Sequence, residues 1–175
     1  MARPQRLLLI GGGHAHVQVL RDWMAAPLAG VELTVVSPSA WAPYSGMVPG
    51  WLAGDYRFDQ IVIDLAALCA AAGARLVIGE VAALEPEDRR VTLVDGQHLH
   101  GDQLSLNIGS TLTPPELPGA RVLSMRPLGD LRRGWEATLA ALGTAPSQAN
   151  AAPLRLAAVG GGPAGAEALL AVCAR

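Results

Sequence analysis

The residues best placed to do chemistry are glycines, and they come in two sets. Residues 6–20, RLLLIGGGHAHVQVL, and residues 155–169, RLAAVGGGPAGAEAL, align without gaps at an offset of 149. An arginine, a leucine, three glycines, an alanine and the last leucine coincide, and Ile10 matches Val159. Each copy runs from an apolar stretch through glycines into a segment of helical spacing; in the first, Val17, Leu20 and Met24 fall at i, i+3 and i+7. The expected order is a buried strand, a tight turn and a helix. The first glycine permits the turn, the second lets backbone approach a diphosphate, and the third lets the helix pack close to the sheet. Amides of the first helical turn, with the helix dipole, then favour a negative charge. The second copy has all three, Gly160, Gly162 and Gly165. The first has Gly11 and Gly13 but carries His16 in the third place. One such motif is weak evidence, because a glycine-rich strand–helix turn has the same spelling. Two copies, each after an apolar stretch, point to two dinucleotides, which are commonly held together for hydride transfer.

Other reactive side chains are sparse. His14 and His16 stand two apart at a helix start and so face different ways, which disfavours a shared metal ion; a phosphate-proximal or packing role is expected, and no metal site. Cys69 and Cys173 lie 104 residues apart with no CxxC or CxxxxC, so a reducing, cytoplasmic setting is the default. Cys69 reads as a core thiol on an apolar helix face, and Cys173 as structural. His98 and His100 read as solvated hairpin residues, Arg132 and Arg133 as a solvated helix face. Trp41 and Trp51 offer either loop packing or a partner surface. All 13 basic residues are arginine, which excludes lysine Schiff-base chemistry and a P-loop lysine.

The elements that position these groups can be read in outline. Val31 to Val36 is a second strand, ending at Ser37, where an acid would normally meet a ribose. Residues 37–54, SPSAWAPYSGMVPGWLAG, read as a long loop. Asp64 caps a helix with Leu65, Leu68, Cys69 and Ala72 on one face, and Gly73 ends it. Leu76 to Val81 reads as a strand, Val91–Val94 and Gln97–His100 as a hairpin about Asp95-Gly96, and Leu104–Ile108 as a further strand. Thr113–Pro118 is too proline-rich for regular structure. Asp130–Leu142 reads as a helix and 143–154 as a linker.

The 175 residues are 51% hydrophobic and 16% charged, which excludes global disorder. A net charge of −2 gives no footprint for nucleic acid. No run of about 18 apolar residues suggests a spanning helix.

Taken together, GGGHAHVQVL, the PYSGMVPGWLAGDY loop, IDLAAL, LSLNIGS and GGGPAGAE resemble the FAD-dependent pyridine nucleotide-disulfide oxidoreductase superfamily. The resemblance is nearest to the branch found alone or fused to selenide, water dikinase, with type II NADH dehydrogenases and sulfide:quinone reductases further off. It implies an α/β fold: a Rossmann-like FAD-binding domain with a mostly parallel sheet and a β-hairpin excursion, truncated at the start of a second Rossmann domain. The implied division is 1–142 for FAD, 143–154 as linker and 155–175 as the beginning of an NAD(P)H domain. The resemblance places Gly11, Gly13, His14 and Ala15 on the FAD diphosphate and Ser37 and Pro38 near the adenosine ribose. Backbone at Glu80 and Val81 would meet the adenine, Tyr44 and Ser45 would line the flavin, and Asn107, Gly109 and Ser110 would pass near it. Gly160, Gly162 and Gly165 would begin the NAD(P)H site. A valine at position 13 is expected to block the diphosphate. The segment 41–54 lacks the CxxxxC of the disulfide reductases, so electrons would pass from NAD(P)H through FAD to a quinone or small-molecule acceptor. No side chain reads as a general acid or base. The alternative is a dinucleotide-binding module without turnover.

Overall fold

The computed structural model describes residues 3–144 and 155–175. Their contacts divide into two compact units, one drawn from Met1–Ala42 and Ile63–Gly109, the other from Pro43–Val62 and Ser110–Arg175. Most of the expected linker at 143–154 lies outside the described residues.

The first unit is built on a parallel sheet. β1 (Gln5–Ile10), β2 (Val31–Ser37), β5 (Arg75–Ile78) and β9 (Gln103–Leu106) lie in the order β5-β2-β1-β9. Leu7 to Ile10 pair with Leu33 to Val36 on one side of β1 and with Gln103 to Leu106 on the other. Buried on both faces, β1 and β2 are near-continuous aliphatic runs, as parallel strands must be. One face meets α1 (His14–Ala25) and α3 (Leu65–Ala71), packing Leu9, Leu20, Trp23, Leu33, Val35 and Cys69. The other meets an antiparallel sheet of β6 (Val81–Glu85), β7 (Arg90–Leu93) and β8 (His98–His100), packing Leu8, Ile10, Val36, Val77, Val91 and Leu93. The start of β1 is tied down by Asp102, which accepts from the Arg6 N–H (2.8 Å) and from Arg3 Nη2 (2.6 Å).

In the second unit, α2 (Val48–Ala53), α4 (Leu128–Thr144) and α5 (Pro163–Ala174) share a core of Val48, Trp51, Leu52, Ile61, Leu131 and Trp135. Phe58 lies edge-on to Trp51, and the Arg132 guanidinium covers its ring at 4.4 Å. β3 (Trp41–Pro43) and β4 (Val62–Asp64) pair with each other.

Several expectations change in detail. The long loop at 37–54 is partly regular, holding β3, a 3-10 turn at Ser45–Met47 and α2. Trp51 is buried there, so it forms no partner surface, while Trp41 is exposed. The strand expected through Val81 breaks at Ile78, and Val81 instead opens β6. On α1 the buried face is His16, Leu20 and Trp23, while Met24 is exposed. Cys173 is exposed, not part of a core. Arg132 is engaged over Phe58 and with Glu136 (2.8 Å), so its helix face is not simply solvated. Among the described residues no helix is long and apolar enough to cross a membrane.

Candidate functional site

Strands β2 and β5 lie to one side of β1 and β9 to the other. In open α/β sheets such a reversal leaves a crevice outside the carboxyl ends of the strands, and ligands use it. The first glycine loop stands at that place. Gly11 turns the chain with φ +97, a left-handed value that suits glycine alone, and its N–H donates to the Val36 carbonyl at 2.7 Å. Gly13 is the N-cap of α1, extended at φ −70 and ψ 168. It offers no side-chain cap, and no acidic residue occupies the first turn. The helix start is therefore free of competing carboxylate charge.

Asn107, just past β9, lies against this loop. Its N–H donates to the Ile10 carbonyl at 2.8 Å, and its own carbonyl accepts from the Gly13 N–H at 3.1 Å. Its side-chain Oδ1 accepts from the Ala15 N–H at 3.1 Å. A Cβ on Gly13 would collide with the Asn107 carboxamide, one on Gly11 with the Asn107 carbonyl, and one on Gly12 with Leu65. The close approach that demands these glycines is thus made by the chain itself. A valine at position 13 strikes Asn107 within the chain itself, a steric reason that the sequence did not show.

His16 is almost wholly buried. Its Nδ1 lies 2.7 Å from the Gly11 carbonyl oxygen and its Nε2 3.0 Å from Ser105 Oγ. A carbonyl only accepts, so Nδ1 carries a proton and donates to it, while Nε2 pairs with the Ser105 hydroxyl, which can give or take a hydrogen bond. His14 is exposed. One imidazole is thus buried and the other exposed.

The other expected residues are distributed as follows. Ser37 is buried at the end of β2 with its Oγ beside Gly12, and its carbonyl accepts from the Gly79 N–H at 2.9 Å. Pro38 is exposed next to it. The Glu80 carbonyl accepts from the Val94 N–H at 2.8 Å, and Val81 pairs with Leu93. Gly109 has φ +79 with open space around it. The loop therefore gathers Gly11, Gly13, His14, Ala15 and Asn107, with Ser37 at Gly12. Tyr44, Ser45, Ser110, Gly160, Gly162 and Gly165 belong to the second unit. Tyr44 is 40% exposed and Ser45 begins the 3-10 turn.

In the second glycine set, Gly160 has φ +112 and Gly162 caps α5 at φ −75 and ψ 162. A Cβ on Gly165 would come within 3.0 Å of the Gly160 carbonyl oxygen. The strand expected before these glycines is not formed among residues 155–159, and Val159 is 88% exposed.

Sequence reasoning missed Ser105 and the side-chain role of Asn107. The available signal was a polar residue inside an apolar strand: Ser105 lies between Leu104 and Leu106 in β9, beside β1. A groove of about 550 Å³ opens at the other, amino-terminal ends of the strands, with Arg6, Glu32, Thr34, Arg75 and His98 among its lining. It shares no residue with the glycine loop. Burial pushes the Cys69 thiol up from its ordinary value, which keeps it protonated and unreactive.

No family model matches the sequence, and no curated protein matches it. Solved structures match by fold. NADH:rubredoxin oxidoreductase from Clostridium acetobutylicum superposes with a TM-score of 0.73 at 16% identity, over 98% of this chain and 42% of its own. The water-forming NADH oxidase from Lactobacillus brevis, bound to NADH, gives 0.71 at 20% identity, over 97% of this chain and 37% of its own. Sulfide:quinone oxidoreductase from Aquifex aeolicus gives 0.66 at 15% identity, over 81% and 33%. The chain thus has the Rossmann-like α/β fold of these oxidoreductases. It spans between a third and about two-fifths of their length.

Proposed function

We propose that the Gly11–Ala15 loop holds the diphosphate of FAD and that the chain forms part of an FAD-dependent NAD(P)H oxidoreductase. The observation that carries this reading is the coincidence of three features in one place. These are the reversal of strand order between β1 and β9, the left-handed turn at Gly11, and an α1 start whose N-cap Gly13 has no side chain and whose first turn has no acidic residue, the Ala15 amide alone being met by the neutral Asn107 carboxamide. Helix amides and dipole at such a point favour an anion. Ser37, buried beside Gly12, offers a hydroxyl on the ribose side without adding negative charge. Pro38, Val81, Tyr44, Ser45, Asn107, Gly109 and Ser110 remain the proposed surroundings of the cofactor, and Gly160, Gly162 and Gly165 the proposed start of the NAD(P)H site. The division at 1–142, 143–154 and 155–175 belongs to the same proposal. When bound, the flavin would accept hydride from NAD(P)H and pass the electrons onward. The chain's own part is to bind and orient.

The acceptor is proposed to be a quinone or small molecule reached without a dithiol relay. Segment 41–54 has no cysteine, Cys69 is buried and Cys173 stands alone. Fusion to or association with selenide, water dikinase is carried by the sequence resemblance alone, and a cytoplasmic setting by the cysteine pattern. The second reading, a dinucleotide-binding module without turnover, is favoured by the unpaired state of residues 155–159. The purified chain separates the readings: flavin absorbance that bleaches on adding NADH supports the oxidoreductase. Absorbance without bleaching supports the binding module, and a colourless chain that also binds no added FAD defeats both.

A further inference from the structure

The place where the glycine fingerprint fails is the place with the most ordered chemistry. In the second copy the third position is Gly165, and its missing Cβ leaves room for the Gly160 carbonyl, which would lie only 3.0 Å from that atom. In the first copy the same carbonyl, that of Gly11, is met by a donor: His16 Nδ1 at 2.7 Å. His16 is 2% exposed, and its other nitrogen is held by Ser105 Oγ at 3.0 Å. Gly11 is thus fixed at both ends of its peptide units, its N–H on Val36 and its carbonyl on His16. We infer that His16 is a positioning residue which, braced by Ser105, locks the Gly11 carbonyl and so sets the amides of the first glycine loop for a diphosphate. The proposal rests on the dinucleotide reading of that loop and deepens it.

The logic is geometric. Glycine at a left-handed position restricts its backbone less than any other residue, so the orientation of the peptide unit that follows depends on what holds its carbonyl. Helix–sheet closeness is one restraint, and a buried imidazole donor is another. Ser105 matters because an imidazole bonded at one nitrogen can still swing; bonded at both, it cannot. The bond from β9 to α1 also ties the strand that leads into Asn107 to the helix whose Ala15 amide Asn107 caps. Orientation of the loop amides therefore depends on a chain running from Ser105 through His16 to Gly11.

The test compares His16→Asn, His16→Leu, His16→Gly and Ser105→Ala in this chain. FAD and ADP affinities are measured by titration, with unliganded stability read separately. Asn Nδ2 can occupy the place of imidazole Nδ1 and keep the Gly11 bond, while Leu keeps the volume and loses it. Leaving the buried carbonyl without a partner predicts about tenfold weaker binding of both ligands for His16→Leu, largely restored in His16→Asn. Ser105→Ala should weaken binding severalfold in the wild type and have no effect in the His16→Leu background. His16→Gly, which completes the fingerprint, should bind more weakly than wild type. The proposal is overturned if His16→Gly or His16→Leu binds as well as wild type, or if His16→Asn gives no rescue over His16→Leu at equal stability. Either result leaves the dinucleotide reading intact. If wild type itself binds neither FAD nor ADP, that reading falls and takes the proposal with it.

Discussion

The two glycine sets share a backbone and differ in everything around it. Gly11 and Gly160 turn at φ +97 and +112; Gly13 and Gly162 cap their helices at −70, 168 and −75, 162. Yet β1 is paired on both sides, whereas residues 155–159 have no strand pairing among the described residues. The turn is therefore a property of the local sequence, since glycine at a left-handed position followed by helix formers suffices to make it. The strand is not, because its hydrogen bonds and its burial must come from partners distant in the chain. A glycine motif alone is thus evidence for a turn, and only a motif docked on a sheet is evidence for a crevice.

The sharpest way to break the comparison is to fill the second glycine of each set. Gly13→Val drives a side chain into Asn107, whose backbone and carboxamide are both anchored to the loop, and should cost about 3 kcal/mol or more. Gly162→Val meets open space and should cost no more than about 1 kcal/mol, the penalty of a poor N-cap residue. Urea denaturation of the unliganded chain measures both. Equal costs would mean that the glycines are needed for the turn itself and not for what packs on it.

The next test compares the positions just before each glycine turn: Ile10 and its counterpart Val159. Ile10 is 2% exposed, between the two sheets of the first unit. Ile10→Ala should cost about 2–5 kcal/mol through lost burial and the cavity left behind. Val159→Ala should stay within about 0.5 kcal/mol. A large loss at Val159 would show that residues 155–159 are packed in solution, and the difference between the copies would vanish.

What the sequence disclosed follows the same division. Local signals held: the Gly11 turn, the Asp64 cap, which accepts from the Ala67 N–H at 2.9 Å, the Gly73 stop and the hairpin about Asp95-Gly96. The aliphatic runs of β1 and β2 were legible because parallel strands are buried on both faces. α2 was hidden, because Val48–Ala53 contains a proline and a glycine that read as loop, and its stability comes from Trp51 and Leu52 packing in a core assembled from distant segments. Of the candidate site, the glycines were legible from their spacing, and His14, Ala15, Ser37 and Asn107 from the resemblance, but not the bonds that join them. His16 looked like a defect in the fingerprint since its partner Ser105 lies 89 residues away, and Asn107 showed its name but not its bonds to the loop.

A smaller effect separates helices that start at glycine from the one that starts at a carboxylate. α1 and α5 have a glycine N-cap, which brings no side chain of its own, while α3 begins at Asp64. Asp64→Ala should cost about 1 kcal/mol, with thermal or urea denaturation as the readout. It should leave FAD titration unchanged. A loss of affinity without a loss of stability would move Asp64 from the scaffold into the site.

The smallest expected effect concerns how the first copy is anchored at its outset. Asp102 is held below the usual carboxylate range by the Arg6 backbone N–H, helped by the charges of Arg3 and Arg6 and opposed by partial desolvation. A carboxyl with a depressed folded pKa binds protons less readily folded than unfolded. Its contribution is therefore complete above the ordinary carboxylate value near 3.8 and is lost as the pH falls through the lower folded value. Denaturation midpoints of wild type and Asp102→Asn should accordingly run parallel from neutral pH down to about 4, offset by the lost charge and the loss of one of two acceptor oxygens, and converge below it. Because Asp102 fastens Arg6 at the amino end of β1, far along the strand from Gly11, this change should alter acid stability without altering the glycine loop. If Asp102→Asn instead weakened FAD binding at neutral pH, the anchoring of the strand and the shape of the loop would be one property, and the local character argued for the turn would not hold.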